Sequence, residues 1–142
     1  IYGLSALRLG WAYGSDAVID VLHRIRGPFN VNAIAQEAGI AAVQDQNFVE
    51  QACLHNDKWI PILTQRLRGL GLKVTDSVGN FLLIDFAESG KKAADADEFL
   101  NSRGLILRNV ASYGLETCLR MSIGTEDQNH AVIDALKDFL EG

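Results

Sequence analysis

The feature that most constrains the fold is the order of segments that follows Gly71. Short apolar segments typical of strands come in pairs, and each pair is followed by an amphipathic segment typical of a helix. The predicted strands are residues 73–77, 81–86, 105–110 and 118–123, and the predicted helices are residues 93–103 and 126–140. This order is typical of a small α+β domain with its helices on one side of the sheet.

The last helix has the clearest start signal in the chain. Thr125 is followed three residues later by Gln128, which is the spacing of a capping box that satisfies free backbone N–H groups at a helix N-terminus. Its predicted apolar face consists of Ala131, Val132, Ala135, Leu136, Phe139 and Leu140. We expect this face to cover the sheet of the small domain.

A long helix is predicted before the small domain, from about Gln46 to Leu70. Its second half keeps an apolar seam formed by Ile60, Leu63, Leu67 and Leu70. Pro61 removes one backbone donor within it, so we expect a bend just before that residue. A helix of this length suits a link between two domains, which we place at residues 1–58 and 59–142.

The first part of the chain reads as the end of a larger α/β layer. Leu7–Tyr13 is apolar without clean alternation, as in a strand buried on both faces. Ser15 is a candidate N-cap for a helix that Gly27 and Pro28 end, and a second, Ala-rich helix is predicted from about Asn32 to Val43. The apolar stripe expected for the first of these helices is Ala17, Val18, Val21, Leu22 and Ile25.

Composition excludes several classes of partner. With 13 Lys and Arg against 18 Asp and Glu, the net charge of −5 argues against nucleic acid or an anionic membrane surface as the main partner. No apolar run approaches a membrane span, and the context reads as cytoplasmic. Cys53 and Cys118 lie far apart and are expected to be small buried residues. His23, His55 and His130 are expected to be solvated or hydrogen-bonded rather than to bind metal.

Two arginines interrupt the strand pattern near the end of the chain. Arg120 lies between Leu119 and Met121 in a predicted strand, and Arg108 closes the preceding one. A strand arginine is costly to bury unless it is paired or directed at an anion. From these residues alone, pairing with nearby carboxylates is the simpler interpretation, and an anion site is the alternative.

Five stretches of the sequence resemble one enzyme family, in the same order and at similar spacing. They are "YGLSALRLGWAYG", "RGPFNVN", "GNFLLIDF", "RGLILRNVASYGLETCLRMSIGT" and "EDQNHAVIDAL". Together they are similar to fold type I, class I/II aminotransferases that use pyridoxal 5'-phosphate, and among these to the histidinol-phosphate aminotransferases. The resemblance implies an α/β fold: the C-terminal part of the cofactor-binding large domain, a linking helix, and a small α+β C-terminal domain.

The resemblance also assigns roles to the three arginines. It implies that Arg8 contacts the cofactor phosphate, that Arg120 binds the substrate anion, and that Arg108 helps to hold a substrate phosphate. A guanidinium fork can pair with either a carboxylate or a phosphate, which suits both glutamate and histidinol phosphate. No metal is implied.

Five other residues lie in the family motifs. Tyr113 is a candidate for the substrate pocket, although packing against the small domain is the simpler role. The others are Tyr2, Asn30, Asn32 and Asn80. Helix capping explains Asn30 and Asn32, and a turn before a strand explains Asn80.

The family pattern places the Schiff-base lysine eight residues before the arginine of its Arg-x-Gly motif, immediately before Ile1. The only methionine is Met121, so residue 1 is not expected to be a translation start. We therefore expect a chain that lacks the catalytic lysine and is inactive alone. Two explanations stay open: a piece cut after the lysine, or a lysine omitted as a modified residue.

The implied function is transamination between histidinol phosphate and 2-oxoglutarate in histidine biosynthesis, by a cytoplasmic homodimer acting on small molecules. Other enzymes of the same class are alternatives, namely an aromatic-amino-acid aminotransferase or a phosphothreonine decarboxylase. A non-catalytic interaction fragment is the alternative of a different kind.

Overall fold

The computed structural model describes all residues from 1 to 142. Five helices and four strands follow one another along the chain. They are α1 (Asp16–Ile25), α2 (Ala33–Gln44), α3 (Gln46–Gly69), β1 (Lys73–Val74), β2 (Phe81–Asp85), α4 (Ala93–Ser102), β3 (Arg108–Asn109), β4 (Cys118–Ser122) and α5 (Glu126–Glu141). None of the five helices combines the length and the apolar composition that crossing a bilayer requires.

The chain divides into two compact units, Ile1–Cys53 and Leu54–Gly142. The division falls within α3, as does the domain boundary predicted after residue 58. The predicted domain limits themselves stay a prediction. Pro61 lies inside α3, which continues past it to Gly69.

The second unit is built on a four-stranded antiparallel sheet in the order β1-β2-β4-β3. Leu82 lies opposite Met121 and Ile84 lies opposite Leu119. All four side chains are buried, whereas the residues between them are exposed or half-buried, apart from Cys118 at the start of β4. Because side chains alternate across a strand, one face of the sheet is the core and the other is an outer face.

Three helices cover the core face of this sheet. The seam predicted for α3 is confirmed, with Leu63 and Leu67 fully buried, and α4 contributes Leu100. On α5 the predicted face is correct except for Ala131, which is exposed. Ile133 is buried in addition, because α5 packs against α4 as well as the sheet and its buried stripe is wider than one row.

One polar residue is fully buried, and sequence reasoning missed it. The side chain of Asn129 forms two hydrogen bonds with the backbone of Gly124. Its Oδ1 accepts from the Gly124 amide at 2.9 Å, and its Nδ2 donates to the Gly124 carbonyl at 3.0 Å. Nε2 of His55 donates to the same carbonyl at 2.8 Å. Nearby, Lys58 donates to Glu126 at 3.1 Å, which lowers the pKa of Glu126 below its ordinary value of 4.5. These bonds tie α3 to the turn between β4 and α5.

The predicted capping box of α5 is confirmed, with both reciprocal bonds formed. All four strands are shorter than predicted: β2 and β4 each end one residue early, and β1 and β3 keep only two residues each. β1 stops at Val74, although the Thr75 amide still donates to the Leu83 carbonyl at 3.2 Å. β3 begins only at Arg108, because the amide of Leu105 closes the end of α4 by donating to the Leu100 carbonyl at 3.0 Å.

The first unit contains the predicted helices but no strand. The strand predicted over Leu7–Tyr13 is wrong: Ser5–Leu7 form a single 3₁₀ turn, and Arg8 then adopts a left-handed backbone with φ of 55°. A strand needs a hydrogen-bonding neighbour, and residues 1–53 provide none. The N-cap position of Ser15 is correct, although its side chain makes no capping bond.

The apolar stripe of α1 is present but exposed. Leu22 is 44% exposed and Ile25 is 74% exposed, and among residues 1–53 only Ala35 is buried. Cys53, which was expected to be buried, is exposed at the end of this unit, whereas Cys118 is buried in the second. The packing that defines a hydrophobic core is therefore concentrated in residues 54–142.

Because the core lies in residues 54–142, a Leu→Ala substitution should lower the free energy of unfolding more on a buried helix face of that unit than on an exposed helix face of the first unit. Leu63→Ala empties a fully buried site and should lower the free energy of unfolding by about 2–5 kcal/mol. Leu22→Ala truncates a side chain on the exposed stripe and should cost less than about 1 kcal/mol. Urea unfolding of the 142-residue chain, followed by far-UV circular dichroism from the helices of both units, measures both. Equal losses would contradict the assignment of the core.

Candidate functional site

The outer face of the sheet brings two arginines side by side. Arg108 on β3 lies directly opposite Arg120 on β4, and Leu83 on β2 lies opposite Arg120 on its other side. Residues that face each other across antiparallel strands share one face of the sheet, with Cβ atoms about 5 Å apart. Like charges in this arrangement repel each other, so the pair is electrostatically unfavourable unless an anion lies between them.

No carboxylate compensates either arginine. The ion pairs of the structure lie elsewhere, between Arg24 and Asp20, Lys58 and Glu126, Arg68 and Asp76, Arg103 and Asp138, and Lys137 and Glu141. The interpretation that nearby acids pair with Arg108 and Arg120 is therefore wrong. Nε of Arg120 is also buried without a hydrogen-bond partner, a state that costs about 1–3 kcal/mol for a polar group.

Two aromatic side chains flank the arginine pair. The Cζ atom of Arg120 lies 5.1 Å from the centre of the Phe81 ring, within the range of a cation–π contact. Nη2 of Arg108 donates to the hydroxyl of Tyr113 at 3.4 Å. Tyr113 is 63% exposed, so the expectation that it packs into the small domain is wrong. Tyr113 is the last residue of a short 3₁₀ turn that begins at Ala111, and Gly114, with φ of 77°, ends this turn.

The acid that shares the outer face is already engaged. Asp85, two residues after Leu83 on β2, accepts from the Ala87 amide at 3.0 Å. This bond, together with a hydrogen bond from the Thr117 side chain, lowers the pKa of Asp85 below its ordinary value of 3.8. The carboxylate is thus ionised at neutral pH and bonded to the turn after β2, and it forms no ion pair with Arg120.

Arg8 belongs to the first unit and is the only non-glycine residue with a positive φ. Its side chain is exposed and pairs with no acid, and its Nη1 donates to the Ser5 carbonyl at 2.9 Å. Such a backbone is strained for any residue with a Cβ, and strain of this kind is often found where function requires a particular side chain. A charged group with free donors on a tight turn fits a phosphate contact.

The asparagines of the motifs have local roles. Asn32 is the N-cap of α2 and its Oδ1 accepts from the Ala35 amide at 2.8 Å, as helix capping predicts. Asn30 does not cap a helix, because its Oδ1 accepts from Arg26 at 3.1 Å. Asn80 precedes β2, and its carbonyl accepts from the Ile123 amide at 2.9 Å. These bonds account for the three residues without a ligand.

The histidines form hydrogen bonds, as expected. Nδ1 of His23 accepts from Arg26 at 3.0 Å, Nδ1 of His130 pairs with Arg66 at 3.1 Å, and His55 bonds a backbone carbonyl. No group of three or more His, Cys, Asp or Glu side chains could hold a metal ion.

Sequence reasoning missed Phe81. From local sequence alone, Phe81 is an ordinary strand residue whose side chain could lie on either face of the sheet. The available signal is alternation: Leu82 and Ile84 fit the core, so Phe81 must lie on the outer face with Leu83 and Asp85. The pairing of β2 with β4 then places it diagonally next to Arg120.

Comparison with known proteins gives consistent matches over the chain. A family profile described as "Aminotransferase class I and II" matches residues 1–136. A histidinol-phosphate aminotransferase from Maricaulis maris is 56% identical over 142 residues, which are 99% of this chain and 39% of that protein. The chain thus spans about two fifths of the length of the curated relatives it matches.

Two solved structures extend the comparison to the fold. A histidinol-phosphate aminotransferase from Sinorhizobium meliloti, in complex with pyridoxal-5'-phosphate, matches with a TM-score of 0.79 and 25% identity, over 99% of this chain and 38% of that one. An L-threonine-O-3-phosphate decarboxylase from Porphyromonas gingivalis matches with a TM-score of 0.76 and 25% identity, over 99% of this chain and 44% of that one.

These similarities confirm the resemblance seen in the motifs, the predicted fold class and pyridoxal phosphate as the cofactor. They leave the roles of individual residues untested. The roles assigned to Arg8, Arg108 and Arg120 stay predictions.

The depressed pKa of Asp85 predicts how its contribution to stability depends on pH. A carboxylate of this kind stabilises the fold at pH values above its unfolded pKa, near 3.8, and the contribution is lost as the pH falls through the lower, folded pKa. Asp85→Asn should therefore lower Tm at pH 7, and the difference from wild type should shrink below pH 3.8. Glu88→Gln, at an exposed position without a hydrogen bond, is the control for loss of one charge. A constant difference across the pH range would contradict this account.

The uncompensated arginine pair predicts anion binding. Inorganic phosphate at constant ionic strength should raise Tm of the 142-residue chain, with about 1.4 kcal/mol of stabilisation when its concentration is ten times Kd. Arg108→Gln and Arg120→Gln should each reduce this gain, whereas Arg24→Gln, which removes an exposed charge that already pairs with Asp20 in the first unit, should retain it. The same phosphate response in all three variants would show that the pair is not the binding site.

Proposed function

Because this chain belongs to the class I and II aminotransferase family, we propose that it is part of an enzyme that transfers an amino group between histidinol phosphate and 2-oxoglutarate. Histidinol-phosphate aminotransferases are among the relatives that match nearly the whole chain. The proposed role of these 142 residues is to bind the anionic groups of cofactor and substrate.

The observation that carries this proposal is the cross-strand pair of Arg108 and Arg120 without a compensating acid. The two substrates present different anions: histidinol phosphate carries a phosphate, and 2-oxoglutarate carries carboxylates. A guanidinium fork pairs with both kinds of group, and two neighbouring cations suit a phosphate dianion better than one. The hydroxyl of Tyr113 accepts a hydrogen bond from Arg108, which supports the position of Arg108 next to Arg120.

Pyridoxal phosphate supplies the electron sink that transamination requires. In this chain Arg8 would hold its phosphate, which is supported by the exposed guanidinium, the absence of an acidic partner and the strained turn. Arg120 would orient the substrate through its carboxylate or phosphate. None of these arginines can move the proton between substrate and cofactor, because a guanidinium stays protonated at any physiological pH.

We assign that proton transfer to the cofactor-bearing lysine of the complete enzyme, and we propose, from the spacing of the family motif, that this lysine precedes Ile1. We propose accordingly that the 142-residue chain is inactive alone. The complete enzyme is proposed to be a cytoplasmic homodimer, and the broad apolar exposure of residues 1–53 supports further burial of this surface in the complete protein.

Phosphothreonine decarboxylation is the second candidate, favoured by the match to the Porphyromonas gingivalis enzyme. Its substrate also carries a phosphate, so the arginine pair serves both reactions. The products separate them: the decarboxylase releases carbon dioxide, whereas the aminotransferase converts the amine of histidinol phosphate to a ketone and 2-oxoglutarate to glutamate. Unphosphorylated aromatic substrates, tested on the same complete enzyme, distinguish an aromatic-amino-acid aminotransferase from both.

Replacing the guanidinium fork tests the role of Arg120. In the complete enzyme, Arg120→Lys retains the positive charge but loses bidentate pairing, so kcat/KM for histidinol phosphate should fall by roughly 30- to 1000-fold. Arg103→Lys, at an arginine that pairs with Asp138 at 2.8 Å on the other side of the sheet, is the matched control and should keep near wild-type kinetics. Unchanged kinetics in Arg120→Lys would remove this residue from the site.

A further inference from the structure

We propose that Phe81 is a positioning residue for Arg120: its ring sets the plane in which the guanidinium meets the substrate anion. The inference rests on the proposed function of Arg120 and adds a residue to it. Phe81 itself is not assigned any contact with the reacting atoms.

The first observation is that hydrogen bonds do not orient Arg120. Its Nε is buried and has no partner, and no other donor of its side chain bonds to a group within these 142 residues. Its cross-strand neighbour on β3 is another arginine, Arg108, and the two positive charges repel each other. The attractive contact in the structure is the Phe81 ring, 5.1 Å from Cζ. Packing against this ring therefore supplies the orientation that a hydrogen bond would otherwise provide.

The second observation is that the Phe81 ring lies close to a part of the backbone that hydrogen bonds hold in place. A Cβ added to Gly79 would lie 3.4 Å from the Cε1 atom of the ring, so the ring rests close to the Gly79 backbone. That backbone is fixed at both ends: the Asn56 side chain donates to its carbonyl at 3.0 Å, and its amide donates to Ser77 Oγ at 3.2 Å. A side chain of α3 therefore braces the turn on which the ring lies.

The third observation separates positioning from core packing. Phe81 lies on the outer face of the sheet and is 41% exposed, whereas Leu82 next to it is fully buried. An aromatic ring that contributes little to the core can be replaced at small cost to the fold. Its loss should instead let the arginine fork move, which lowers the preorganisation of the anion site.

The test compares Phe81→Leu with Phe81→Tyr in the complete enzyme. Leucine retains apolar volume but has no π face, so KM for histidinol phosphate should rise about 3- to 30-fold with kcat nearly unchanged. Tyrosine keeps the π face and should restore KM. The matched control is Phe99→Leu, which removes a ring 4.1 Å from Arg103 and should leave KM at the wild-type value.

A second readout does not depend on turnover. The Nε–H resonance of Arg120, assigned through Arg120→Lys, should carry a ring-current shift from Phe81 that disappears in Phe81→Leu and persists in Phe81→Tyr. An unchanged resonance and unchanged KM in Phe81→Leu would overturn the positioning role. If Arg120→Lys also has wild-type kinetics, the proposed function of Arg120 fails; if only Phe81→Leu does, the failure is confined to Phe81.

Discussion

The register between β2 and β4 is the constraint on which the candidate site depends. Burial of Leu82 against Met121 and of Ile84 against Leu119 fixes this register, because a slip of one residue would turn every side chain of a strand to the opposite face. Once these residues occupy the core, Arg120 must lie on the outer face. The hydrophobic core therefore determines on which face of the sheet the positive charge of Arg120 is placed.

The two units rely on different kinds of interaction. Residues 54–142 bury a continuous set of apolar side chains between a sheet and three helices, and polar bonds such as those of Asn129 close the turns around it. Residues 1–53 have well-formed helices but bury only Ala35. Their helices are specified by local signals, such as the N-cap of Asn32, rather than by shared packing.

The sequence predicted features that depend on local spacing, such as the capping box at Thr125 and the seam of α3. It failed for Leu7–Tyr13, since an apolar segment becomes a strand only if another strand pairs with it. The arginines were recognised as candidates, but the absence of acidic partners is a property of three-dimensional neighbours. The contact between Phe81 and Arg120 likewise depends on pairing across strands 39 positions apart, which local patterns do not encode.

At Arg8, which has a left-handed backbone, folding stability and the proposed phosphate contact favour different residues. Glycine would adopt this conformation without strain, so a selection for thermal resistance alone would favour it and discard the guanidinium. Folding stability therefore does not favour an arginine at position 8. In mutational libraries of this protein scored only for heat tolerance, glycine should therefore be enriched at position 8, at the expense of the charge that the family motif contains.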